Sequence, residues 1–85
     1  MVYTLHIDVH AGKHLAKLPK DVSQRIFQKL QETKQNPEHY WIRLEGRADY
    51  KLRIGDYRAI ADIDHNQKLI QITKVGHRKT IYGET

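Results

Sequence analysis

The chain has 85 residues, with 15 Lys and Arg against 10 Asp and Glu, no cysteine and a formal net charge of +5. That length builds one small core and leaves no room for a second domain or a deep enclosed pocket, while the cysteine count excludes a disulfide framework and a thiolate zinc site. The charge favours anionic partners, nucleic acid or an acidic protein; no apolar run approaches the ~18 residues of a membrane span, and Met1-Val2-Tyr3 leads straight into folded sequence rather than a signal peptide, so a soluble chain in a reducing cytoplasm is expected.

Val2, Leu5 and Ile7 among Tyr3, Thr4 and His6 predict a first strand over residues 2–8. Ala11, Leu15 and Leu18 make the apolar stripe of a helix over 10–18, and Pro19 stops it. Asp21 is placed to cap a second helix, with Val22, Ile26, Phe27 and Leu30 at helical spacing. It ends near Gln35, since Asn36-Pro37 does not continue a helix. Residues 38–49 read as a connecting loop, and Phe27, Trp41 and Tyr57 as packing side chains. Tyr50, Leu52 and Ile54 alternate with Lys51 and Arg53 in a second strand, Gly55-Asp56 turns the chain, and 57–64 returns as a third. A turn over Asp64-His65-Asn66-Gln67 leads into a fourth strand over 68–75. The order β-α-α-β-β-β is that of an α+β domain over 1–85, a two-helix hairpin packed on an antiparallel meander sheet.

Three segments carry chemistry. They are Leu15-Ala16-Lys17-Leu18-Pro19-Lys20 before the second helix, Lys51-Leu52-Arg53 before Gly55-Asp56-Tyr57-Arg58, and Val75-Gly76-His77-Arg78 with Tyr82 behind it. In this order and spacing the chain resembles the RelE/ParE superfamily of toxins from type II toxin–antitoxin pairs, and the likeness covers nearly all of it. Members of the RelE branch are metal-free endoribonucleases that inhibit translation by cleaving mRNA in the ribosomal A site; ParE-like relatives act on DNA gyrase.

The resemblance implies roles for particular residues. Metal-free RNA cleavage needs a base for the 2′-hydroxyl, fixed cations for the phosphorane and an acid for the departing 5′-oxygen. Arg58 is assigned to transition-state stabilisation, since its guanidinium holds two phosphate oxygens in a planar fork. Lys51, close to the cationic Arg53, is the base, acting as a neutral amine. Arg78 matches the arginine that relatives place near the leaving group, and Tyr82 stacks on a base or orients the nucleophile. Arg53, His77 and Asp49 are further catalytic or substrate-binding candidates. Relatives often carry a second lysine where this chain has Asp49, and some have lysine in place of His77. Whether Asp49, Lys51 or His77 supplies the base stays open.

Plainer readings compete. Lys51 and Arg53 also suit a solvated strand face, Arg58 an ion pair with Asp56 or Asp62, and Tyr82 a packing role. Lys13, Lys17, Lys20 and Arg25 read as a solvated helix face that can rest against rRNA. The six histidines form no zinc-type ligand set, and no cofactor is expected. The resemblance further implies a cognate antitoxin, together with ribosome and mRNA as partners and no membrane. The alternatives are a ParE-like gyrase inhibitor, and a non-catalytic family member that binds an antitoxin or RNA.

Overall fold

Alanine and isoleucine at alternate positions near the C-terminal end of the chain decide which side of the sheet is dry. Ala59, Ala61, Ile70 and Ile72 are fully buried on one face, because successive strand side chains point to opposite sides. In the computed structural model, which describes residues 2–79, the order is β1 (Thr4–Ile7), α1 (Val9–Lys17), α2 (Lys20–Glu32), α3 (Pro37–Tyr40), β2 (Ile42–Arg43), β3 (Tyr50–Ile54), β4 (Tyr57–Asp64) and β5 (Leu69–His77). This is the expected α+β arrangement, with additions.

The sheet has five strands in the order β1-β5-β4-β3-β2. From β2 to β5 it is the antiparallel meander, while β1 runs parallel to β5, Thr4 beside Leu69 and Ile7 beside Ile72. Helices α1 and α2 cover one face through Ala11, Ile26 and Leu30, which join Trp41, Leu52, Ile54, Val75 and the residues above in one core. Alanines at 11, 59 and 61 let helix and sheet backbones approach closely.

Several details differ from expectation. Residues 38–49 contain α3 and the two-residue β2; Pro37 sits in the first turn of α3, where its missing N–H is no loss. Asp21 lies inside the first turn of α2, not at its cap, which Pro19 occupies. There its charge suits the positive end of the helix dipole. Helix α2 stops at Glu32, short of Gln35, and the fully buried Thr33 donates its hydroxyl to the Leu30 carbonyl at 2.7 Å. Trp41 and Tyr57 pack against or within the core, but Phe27 is 47% exposed. It lines an apolar groove of about 730 Å³ between α1 and α2, with Gly12, Leu15 and Ala16 opposite.

Two turns aim the strands. Asp64 Oδ1 accepts from the backbone N–H groups of Asn66 and Gln67 at 2.9 and 3.1 Å, closing the β4–β5 connection. Between β3 and β4, Gly55 has φ +59°, and a Cβ there would meet no atom within 4 Å. The penalty for a side chain is therefore conformational alone. Gly55→Ala is expected to lower stability by about 1–2 kcal/mol, the cost of a left-handed backbone with a Cβ, read as a shifted urea midpoint at unchanged slope.

Candidate active site

The face of the sheet away from the helices is built by register. On β3, Leu52 and Ile54 turn inward, so Lys51 and Arg53 turn outward. Arg53 lies directly opposite Arg58 of β4, and Arg58 lies opposite Gly76 of β5. One row across three strands therefore reads Arg53, Arg58, Gly76, and the next reads Lys51, Ile60, Lys74. Like charges directly opposite each other destabilise a sheet. Among the described residues neither Arg53 nor Arg58 has a carboxylate partner. The competing reading, an ion pair of Arg58 with Asp56 or Asp62, does not form; its Nη1 instead donates to the carbonyls of Gly55 and Tyr57 at 3.3 and 3.1 Å. Those bonds hold the guanidinium against the hairpin and leave its other nitrogens for a ligand.

Lys74 is a cation that the sequence analysis did not single out. A bulge shifts the register between Ile60 and Ala61, so Ala61 pairs with Ile72 and Ile60 with Lys74. Thr73, the extra residue, donates its hydroxyl to the Ile60 carbonyl at 3.2 Å. Ile60 faces outward yet is only 4% exposed. Its cross-strand neighbours are Lys51 and Lys74, residues whose long methylene stems suit covering an apolar side chain.

The remaining candidates divide. Arg78, just past β5, is anchored at the β3–β4 turn: its backbone N–H donates to the Asp56 carbonyl at 2.8 Å, and its Nε lies 3.9 Å from Asp56 Oδ1. His77 is opposite Tyr57, with the two rings edge to face at 5.5 Å. By alternation it belongs to the helix side of the sheet, not the face of Lys51 and Arg58. The backbone N–H of Lys79 donates to its Nδ1 at 3.2 Å, so the ring proton of the neutral imidazole is on Nε2. Asp49 precedes β3, and its carboxylate is held by Arg47 at 2.8 Å. Tyr82 lies outside the described residues. The structure thus brings Lys51, Arg53, Arg58 and Lys74 onto one face with Arg78 at its hairpin end.

A shallow cleft of about 360 Å³ continues the positive surface toward α2, lined by Arg25, Lys29, Arg53 and Glu32 among others. Among the described residues no group of three or more histidine or acidic side chains is arranged to hold a metal ion, and no helix is long and apolar enough to cross a membrane.

Comparison with known proteins gives two kinds of match. The sequence profile of a family described as the ParE toxin of type II toxin–antitoxin system, parDE, matches residues 5–82. Among solved structures, the archaeal RelE–RelB complex from Pyrococcus horikoshii OT3 contains a chain 31% identical, with a TM-score of 0.78, covering 94% of this chain and 99% of that one. The RelBE2 toxin–antitoxin complex from Mycobacterium tuberculosis contains one 25% identical, with a TM-score of 0.82, covering 92% of this chain and 100% of that one. A mutant of the Escherichia coli toxin RelE in the free state is 28% identical, with a TM-score of 0.78, covering 96% and 90%. No curated protein matches.

Proposed function

The chain belongs to the family of ParE toxins of type II toxin–antitoxin systems, and we propose that within it this protein is a ribosome-dependent endonuclease that cuts mRNA in the ribosomal A site. One observation carries the reading: two guanidiniums, Arg53 and Arg58, are set side by side on an open sheet face with no carboxylate partner among the described residues. A fold keeps an unfavourable pairing where a ligand supplies the missing charge, and a phosphodiester supplies it.

In the proposed reaction Lys51, as the free amine, takes the proton of the 2′-hydroxyl. The 2′-oxygen then bonds to phosphorus as the bond to the 5′-oxygen breaks, leaving a 2′,3′-cyclic phosphate and a 5′-hydroxyl. Arg58 and Arg53 hold the non-bridging oxygens, whose charge grows in the transition state, and Arg78 at the hairpin end balances charge on the departing oxygen. That oxygen takes its proton from water, since His77 faces the helix side of the sheet. Lys51 suits the base role better than Asp49, whose carboxylate is engaged by Arg47. Tyr82 is retained as a stacking residue. The face is open and flat, so it binds phosphate without orienting a chain. The ribosome supplies that orientation, which is worth several kcal/mol in reactions of this kind.

The antitoxin is the second partner, as in the complexes of the structural relatives. The groove between α1 and α2, apolar along Leu15, Ala16 and Phe27 and flanked by Lys13, Lys17, Lys20 and Arg25, suits an amphipathic helix with acidic edges.

The test is purified protein in a reconstituted translation reaction, with mRNA ends mapped by primer extension. Cuts that appear only with ribosomes support the nuclease; intact mRNA would overturn it. A second reading, gyrase inhibition, is favoured by the ParE description of the matching family, and predicts intact mRNA with loss of supercoiling by gyrase. Within the nuclease reading, Lys74→Ala is expected to reduce single-turnover cleavage about 10-fold, since one neighbouring cation contributes about 1–1.5 kcal/mol to a bound phosphate. The loss is expected to be larger in 10 mM than in 150 mM salt, where screening weakens the attraction between Lys74 and the phosphate.

A further inference from the structure

The helix hairpin carries a feature that the cleavage chemistry does not use. His10 and His14 stand one turn apart on α1, and their imidazole rings lie 4.7 Å apart between centroids, inclined at 44°. His14 Nδ1 is 3.1 Å from the Val75 carbonyl oxygen. A carbonyl only accepts, so Nδ1 carries the proton and the lone pair of the neutral ring is on Nε2. His10 is exposed and His14 is half-buried.

We propose that His10 and His14 form a surface site for a borderline transition-metal ion such as Ni²⁺ or Zn²⁺, held by two imidazole nitrogens. Residues four apart on a helix are neighbours on one face, and imidazole is a preferred ligand for these ions. The bond from His14 Nδ1–H to a backbone carbonyl is the arrangement by which metal-ligating histidines are oriented and made more basic. Two donors fall short of a closed structural site. Among the described residues no third histidine or acidic side chain completes the set, so the remaining coordination positions are open to water or to a donor from a partner protein. Lys13 and Lys17 lie on the same helix and weaken binding of a cation. The site is thus one of modest affinity, filled by metals high in the Irving–Williams order rather than by Mg²⁺ or Ca²⁺.

Binding has a structural consequence. The hydrogen bond from His14 ties α1 to Val75, next to the Gly76 that faces Arg58. Metal on Nε2 polarises the Nδ1–H group and strengthens that tie, so an ion bound here stabilises the packing of α1 on β5.

The test is isothermal titration of untagged, full-length protein with Ni²⁺ and with Zn²⁺, beside thermal melts in the same metals. The expected result is one ion per chain and a melting temperature raised by about 10 °C or more at 100-fold excess over the dissociation constant. His10→Ala, which removes an exposed ring, is expected to weaken binding at least 10-fold and to abolish the thermal shift, whereas His39→Ala and His65→Ala leave both unchanged. A long-range proton–nitrogen NMR spectrum separates a ligand from a structural role: metal shifts His14 Nε2 while Nδ1 keeps its proton. Failure of the wild type to bind one ion, or binding that survives His10→Ala, overturns the proposal. Neither result bears on the nuclease reading, which is tested without added metal.

Discussion

Arg58→Ala is expected to slow ribosome-dependent mRNA cleavage by about 10²–10³-fold, the range found when one fixed donor to a transition-state oxyanion is removed. The side chain is half-buried and, among the described residues, bonded only to the carbonyls of Gly55 and Tyr57. Its loss leaves no charge stranded, and removing a like charge opposite Arg53 offsets the lost hydrogen bonds. The variant should therefore melt within a few degrees of wild type and still bind its antitoxin. Arg58→Lys keeps the charge but not the fork, and is expected to recover only part of the rate. Single-turnover cleavage on a programmed ribosome reads all three proteins. Cleavage by Arg58→Ala at the wild-type rate would remove this face from the chemistry.

The largest expected loss of stability comes from Ile72→Ala. Ile72 is fully buried in β5, between Ile7 of β1 and Ala61 of β4. Its neighbour in β4 is already an alanine, so no large side chain is at hand to fill the space, and truncation is expected to cost about 3–4 kcal/mol. In a domain of this size that lowers the melting temperature by roughly 12 °C or more. Calorimetry reads the shift directly, and a loss below 1 kcal/mol would mean that the helices close over the cavity.

These two residues also show where sequence reading reached and where it stopped. The alternation of Tyr50, Leu52 and Ile54 with Lys51 and Arg53 set the faces of β3 in advance, because a period of two is unambiguous when one face is dry. Gly55-Asp56 then brought Arg58 back beside Arg53. Two-residue β2 has no period to detect, and α3 is a single turn. The parallel pairing of β1 is decided by the path of the helix hairpin over the sheet, which no local signal encodes. Phe27 has the spacing of a core residue but faces the groove between the helices. Lys74 escaped notice because the bulge changes which side it faces. The clue was present: the inward positions run 70, 72 and then 75, a slip from even to odd within one strand. His77 was grouped with Arg78 by proximity along the chain, although adjacent strand residues face opposite ways.

The parallel seam between β1 and β5 has a consequence for synthesis. Its strands are about 65 residues apart along the chain, and closing a loop of that length costs about 4 kcal/mol before any contact repays it. Topologies dominated by such distant pairings fold slowly for their size. Strand β1 leaves a translating ribosome early, but its hydrogen-bonding edge has no neighbour until β5 has also emerged. The row Arg53, Arg58, Gly76 likewise lacks a flank until then. The cationic face is therefore complete only after β5, the last strand in chain order, has emerged and joined the sheet.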